Sequence, residues 1–176
     1  MKVVLKNVRL SYEHLFEKHA FNGEGEATYQ GTFLFEKNGD THKQVAKVIK
    51  SLIDEKFKGK ALPADKICLR DGDEKDAEGY EGMMFIGAKS KRRVPTVGRD
   101  KAPVDADDGV FYSGCYVNAV IDLWAQDNKF GKRINASLMG VQFVKDGESL
   151  GGATVAGMDD FEDYSDEPED APSWAA

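Results

Sequence analysis

Residues 114–126 read Gly114-Cys115-Tyr116-Val117-Asn118-Ala119-Val120-Ile121-Asp122-Leu123-Trp124-Ala125-Gln126. Cys115, Val117, Ala119, Ile121 and Leu123 form an unbroken apolar set at every second position. The intervening set is Tyr116, Asn118, Val120, Asp122 and Trp124. A period of two places alternate side chains on opposite faces of a strand, so the first set is a core face and the second faces outward. A polar, glycine-containing stretch follows, Asp127-Asn128-Lys129-Phe130-Gly131-Lys132, and then a second long strand candidate from Arg133 to Lys145. Two long strands with such a loop between them make an antiparallel hairpin.

The rest of the chain is organised around that hairpin. Lys2 to Tyr12, rich in Val and Leu, and Thr28 to Glu36, rich in β-branched and aromatic residues, are two earlier strands. One helix follows: Val45, Val48, Ile49, Leu52, Ile53 and Phe57 recur at helical spacing, with Lys43, Lys47, Lys50 and Glu55 on the other face. Thr41 with Gln44 predicts a capping box at its start, and Gly59 with Pro63 a stop. Arg70 to Gly82 reads as a long, acidic, flexible loop. A further strand, Met83 to Lys89, enters a basic segment containing Lys89, Lys91, Arg92, Arg93, Arg99 and Lys101. Five or six strands, one helix and no alternation of strands with helices point to a mostly β, largely antiparallel small barrel. Gly147 to Gly157 reads as a glycine-rich linker, which divides a folded body, residues 1–157, from a tail, 158–176, expected to be disordered.

Charge follows the same division. The 176 residues carry 24 Lys and Arg against 31 Asp and Glu, a net charge of −7 that argues against a polyanionic partner. Eight of those acids, and no base, lie from Asp159 onward, so the body alone has 24 bases against 23 acids. The tail interleaves Asp159, Asp160, Glu162 and Asp163 with Phe161 and Tyr164, and carries Trp174 near its end. Acids with scattered rings mimic single-stranded DNA, charge for phosphate and ring for base. Such a segment can compete for the body's own groove and be offered to partner proteins.

Several classes fall away. No apolar run approaches the ~20 residues of a membrane span, and the N-terminus, Met1-Lys2-Val3-Val4-Leu5, lacks a secretory signal. Cys68 and Cys115, both in apolar strand-like contexts, read as free thiols in a reducing cytoplasm. There is no phosphate-binding glycine loop, no dinucleotide fingerprint, and no metal-like spacing among His14, His19 and His42, so no cofactor is expected. Asp71-Gly72-Asp73 begins like a calcium loop but has Lys75 and Asp76 where a ligand and a glycine are needed. The best case for catalysis is a metal-dependent nuclease built on Asp105, Asp107 and Asp108.

Binding chemistry is better represented. An outward face holding Tyr116 and Trp124, leading to Lys129, Phe130, Lys132 and Arg133, offers rings for base stacking beside cations for phosphates. The competing reading is that Tyr116 and Trp124 are covered by the helix or a loop. In Met83 to Lys89, Phe85 and Lys89 share the outer face if Met84, Ile86 and Ala88 face the core; the reverse phase is also open. Lys91, Arg92 and Arg93 continue that basic patch. The candidate interface is therefore Phe85, Lys89, Lys91, Arg92, Arg93, Tyr116, Trp124, Phe130, Lys132 and Arg133.

Four separated blocks carry a resemblance: Arg70-Asp71-Gly72-Asp73, Tyr80 to Ser90, Ser113 to Ala119, and Gly140 to Glu148. Together they resemble the single-stranded DNA-binding proteins of tailed phages, once catalogued only as a domain of unknown function, and among them an enterobacterial siphophage member. The resemblance implies an OB-fold, a five-stranded barrel related to the DNA-binding protein of podophage replication systems. It also implies a non-enzymatic role in replication, recombination and repair of phage DNA, with single-stranded DNA and replication or recombination proteins as partners. Family members carry an acidic tail ending on an aromatic residue; here Trp174 is followed by Ala175 and Ala176. A strand-annealing recombination protein is the alternative of a different class.

Overall fold

The computed structural model describes residues 1–20, 25–150 and 161–165. Its elements are β1 (Lys2–His19), β2 (Thr28–Glu36), α1 (Asp40–Phe57), β3 (Leu69–Asp71), β4 (Met83–Ser90), β5 (Thr96–Val97), β6 (Tyr116–Asn128) and β7 (Gly131–Lys145). The sheet order is β3-β4-β2-β1-β6-β7-β5, and a parallel pairing of β4 with β7 at Lys89 and Ser137 closes β4-β2-β1-β6-β7 into a five-stranded barrel. This is the OB-fold-like architecture expected.

The period-two reading of β6 holds in full: Cys115, Val117, Ala119, Ile121 and Leu123 are all fully buried. They meet Leu5, Val8 and Leu10 of β1, Phe33 and Phe35 of β2, Ile86 and Ala88 of β4, and Ile134, Leu138 and Val141 of β7. Helix α1 packs Val45, Ile49, Leu52 and Phe57 onto this core, against β6, β2, β1 and β7. Each such side chain is worth about 1.5–3 kcal/mol when fully removed from water. In β4 the buried residues are Ile86 and Ala88, so Phe85, Gly87 and Lys89 take the outer face.

Five local expectations are corrected. Strand β1 does not stop at Tyr12 but runs to His19 through three register shifts, at Leu5/Val8, Ser11/His14 and His14/His19; in the first two, Asn7 and Tyr12 adopt positive φ (52 and 48). The capping box does not form: α1 starts at Asp40 behind Gly39 with no side-chain cap, and the imidazole of His42 accepts from the Asn38 amide instead. The β6–β7 loop is shorter than the polar composition suggested, because Asp127 pairs with Lys132 and Asn128 with Gly131, leaving a two-residue turn at Lys129 and Phe130.

The 70–82 segment is not free. It contributes β3 and folds over the outer face of β2 and β4, burying Tyr80 and Leu34. The Tyr80 hydroxyl donates to Ser11 Oγ (2.9 Å) and its ring meets Phe85 edge-on at 5.1 Å. Lys37 is paired with Asp71 (2.8 Å) and Asp73, and Asp73 also accepts from the Gly82 amide (2.8 Å). The hydrogen bond from Lys37 lowers the Asp71 carboxyl, the amide of Gly82 and then Lys37 lower Asp73, and both carboxylates raise Lys37. Composition hid this because the acids neutralise a lysine from a distant turn.

The expected linker is also partly body. Leu150 is buried and its amide donates to the Ser113 carbonyl (2.9 Å), while Arg9 donates to the carbonyls of Gly114 and Glu148. Gly114 sits at φ +116, and a Cβ there would lie 2.0 Å from the Glu148 carbonyl oxygen. Gly114→Ala therefore combines strain with a backbone clash, costing roughly 2–4 kcal/mol. Thermal unfolding should show a Tm about 5–15 °C lower; an unchanged Tm would mean that residues 146–150 are not docked. The remainder of the linker, 151–157, and the tail residues Asp159, Asp160 and Trp174 lie outside the described residues. Phe161, Glu162, Asp163 and Tyr164 are described, and all are exposed with no regular secondary structure.

Candidate nucleic-acid interface

In a five-stranded OB barrel, oligonucleotides lie over the second and third strands between the loops joining strands 1–2 and 4–5. Here those parts are β2 and β4, the β1–β2 arm, and the β6–β7 hairpin. A groove of about 550 Å³ lies at that place, lined by Thr28, Cys68, Gly87, Lys89, Ser90, Lys91, Trp124, Gln126, Asn135, Ala136 and Ser137. The closing contact of the barrel builds it. Lys89 of β4 pairs with Ser137 of β7, and Ser137 Oγ accepts from the Trp124 indole N–H at 3.0 Å. The ring is thus fixed at one edge, and the residue remains 39% exposed, so neither the helix nor a loop covers it.

Polar groups fill in around the ring. Asn135 donates to Gln126 Oε1 (2.9 Å), and the Gly87 position is open, with no atom within 4 Å of where a Cβ would stand. Lys91 reaches Glu26 at 3.5 Å with both side chains largely in water, a pairing worth little to stability. Burial pushes the Cys68 thiol up to about 11, so it stays protonated and unreactive beside the groove.

The ten sequence-derived residues divide. Lys89, Lys91 and Trp124 line the groove together. Phe130 stands at the hairpin tip, 73% exposed, with Lys129 Nζ 5.1 Å from its ring, and Arg133 pairs with Gln126 on the Trp124 face while donating to the Asp65 carbonyl (3.3 Å). Arg92 is exposed just beyond, where Ser90 Oγ accepts from its amide (3.1 Å) and donates to its carbonyl (2.7 Å).

The other four are placed elsewhere. Arg93 is structural: its guanidinium donates to the Val94 carbonyl and Thr96 Oγ1 (3.0 Å) and stacks 4.6 Å over Phe16. Phe85 is half-covered by Tyr80. Lys132 lies over Phe57 at the end of the helix (5.7 Å). Tyr116 sits in a second cavity, of about 610 Å³, between Arg9 (5.9 Å) and Lys145 (4.8 Å). Eight residues of strand at ~3.3 Å each separate it from Trp124, so the two do not form one platform. Gly87, Gln126, Asn135 and Ser137 were missed; the β4–β7 closure that joins them is non-local and left no signal in the sequence.

Asp105, Asp107 and Asp108 are consumed by a short 3-10 turn, in which the Asp105 amide donates to Asp108 Oδ2 (2.8 Å). Among the described residues no three His, Cys, Asp or Glu side chains are grouped to hold a metal ion. No helix among them is long and apolar enough to cross a membrane.

A closed β barrel with an exposed indole and lysines in an open groove between two projecting arms defines an OB-fold protein of the single-strand-binding type. The chain belongs to the family described as the ssDNA-binding protein of Enterobacter phage Enc34, whose model matches residues 1–172. It is 39% identical over 175 residues to putative protein p50 of Acyrthosiphon pisum secondary endosymbiont phage 1, covering 94% of this chain and 95% of that one. It is also similar to the single-stranded DNA-binding protein from bacteriophage Enc34, solved in complex with ssDNA. There the TM-score is 0.71 at 32% identity, over 85% of this chain and 89% of the other. gp2.5, the single-stranded DNA-binding protein encoded by bacteriophage T7, shares the fold alone, with a TM-score of 0.58 at 12% identity over 97% of this chain and 98% of its own. This is a family of binding proteins, not enzymes, which sets aside the nuclease reading.

Proposed function

We propose that the protein coats single-stranded DNA with little sequence specificity during phage DNA replication, recombination and repair in the host cytoplasm. Residues 1–157 act as the binding domain and 158–176 as a tail that competes for the groove and recruits replication or recombination proteins. The observation that carries the reading is the groove itself: an exposed Trp124 lining it together with Lys89 and Lys91, with Arg133 paired to the lining residue Gln126 and Arg92 next in sequence to Lys91. A ring accepts any base face, and lysines and arginines accept any phosphate, so the site favours strand over sequence. Phe85, Arg93, Tyr116 and Lys132 are proposed only as residues that support the surface around it.

The test is a salt-series titration with fluorescent homopolymers. Three or four cations on a single strand give log K falling with log salt at a slope of about −2 to −3. Affinities for oligo-dT, oligo-dC and a mixed sequence should agree within roughly tenfold, as stacking without hydrogen-bond readout requires. A flat salt dependence, or one strongly preferred sequence, would overturn the assignment.

A further inference from the structure

We infer that Tyr12 is a second base-stacking platform, and that single-stranded DNA runs from the Trp124 groove across the outer face at Gly87 to end beside Tyr12 and Lys75. This extends the reading above and rests on it. Among the described residues before the tail, the exposed large aromatics are Tyr12 (51%), Trp124 (39%) and Phe130 (73%). Tyr12 owes its exposure to a specific device. It sits at φ 48 in the irregularity between the Ser11–Thr32 and His14–Gln30 pairings. Left-handed backbone is unfavourable for a bulky residue, and bulges of this kind re-aim a side chain.

Ring contacts place Tyr12 on the same side of the barrel as the groove: re-aimed by the bulge, it lies 6.4 Å from Tyr80, whose hydroxyl donates to Ser11. Its neighbour Ser11 pairs with Thr32, and Thr32 pairs with Gly87, whose outer surface is bare. Two residues along β4, Lys89 pairs with Ser137, the acceptor of the Trp124 indole. The surface between the two rings therefore crosses β6, β7, β4, β2 and β1, four inter-strand spacings, or roughly 20 Å. That span suits the ~4–16 nucleotides an OB fold accommodates.

The far end of this path has its own cation. Lys75 Nζ lies 4.6 Å from the Tyr12 ring centroid, 5.0 Å from Tyr80 and 5.4 Å from Phe85. A base stacked on the open part of Tyr12 would bring its phosphate to that ammonium. In the same loop Asp71 and Asp73 are engaged by Lys37, while Glu74, Asp76, Glu78 and Glu81 are exposed. Those four repel a phosphate chain, so they terminate the track at Lys75 rather than extend it.

Oligo-dT of about 15 and about 4 nucleotides separates the two platforms. Tyr12→Ala should weaken binding of the long strand about tenfold and leave the short one unchanged, while Tyr12→Phe keeps wild-type affinity for both. Lys75→Ala should flatten the salt slope for the long strand by about 0.7. Trp124→Ala should weaken both lengths. Wild-type affinity of Tyr12→Ala for the long strand, with Trp124→Ala weakened, would overturn the extension and leave the groove standing. Wild-type affinity of Trp124→Ala would overturn the groove and the extension with it. Should Tyr12→Ala unfold, Tyr12→Trp in a Trp124→Phe/Trp174→Phe background decides the matter: its indole fluorescence changes on adding the long strand, and an unchanged signal counts against the track.

Discussion

Trp124→Ala is expected to lower affinity for oligo-dT by roughly 5- to 150-fold, the loss of one base stacked on an aromatic ring at ~1–3 kcal/mol. The same variant should unfold within about 2 °C of wild type. The ring is 39% exposed and outside the core, and its single hydrogen bond is to a half-buried serine that water can still reach. A complementary variant reaches the groove by filling it. Gly87 lies in the middle of β4 on the outer face, its Cβ position is open, and no positive φ is required there. Gly87→Leu should therefore leave stability unchanged or raise it slightly, since glycine weakens a strand interior, yet block the floor on which the strand lies. Fluorescence titration and thermal melts on both variants give the answer: two folded proteins with wild-type affinity would place DNA elsewhere.

The division of labour between local and non-local information explains which features the sequence disclosed. The core face of β6 was legible because a period of two needs only neighbouring residues, and all five of its members are buried. Helix α1 was legible for the same reason, although its start was not. Thr41 and Gln44 satisfy the composition of a cap, but the chain enters through Gly39 and uses His42 to bind Asn38. Arg93 shows the limit for charge. A Lys-Arg-Arg run looks like a phosphate track, and only the fold reveals that Phe16, 77 positions earlier in the chain, and Thr96 engage the third of these cations, the Arg93 guanidinium. Tyr116 and Trp124 share a face, and alternation said so, but facing the same way is not adjacency over eight residues of strand. The groove residues Gly87, Asn135 and Ser137 are unremarkable in composition; they matter because β4 and β7 meet at Lys89 and Ser137.

Deleting residues 159–176 is expected to tighten single-strand binding by about tenfold or more at low salt, and progressively less as salt rises. The charge argument is direct: the deletion removes eight acids and no base, taking the chain from −7 to +1. Geometry permits the competition. Leu150 is fastened to Ser113 and packs against Gly79, so the 26 residues beyond it start from a fixed point and could extend roughly 85–90 Å. The groove at Lys89 lies only about 20 Å along β4 from Met83, near that end of the barrel. A tethered segment at mM effective concentration, binding the groove with a dissociation constant of ~100 μM, would reduce apparent DNA affinity about tenfold. Phe161 and Tyr164 are exposed, so the expected competitor is one that exchanges with solvent and that DNA can displace. Tail and DNA both bind through charge, hence the gain from deletion must shrink with ionic strength. The truncated body should also take duplex DNA at low salt, because its uncovered lysines and arginines attract any phosphate backbone. Paired salt-series titrations of full-length and truncated protein with poly-dT and a duplex measure all three effects. Equal or weaker poly-dT binding by the truncated body at low salt would exclude the tail as a competitor and leave it only a partner-binding role.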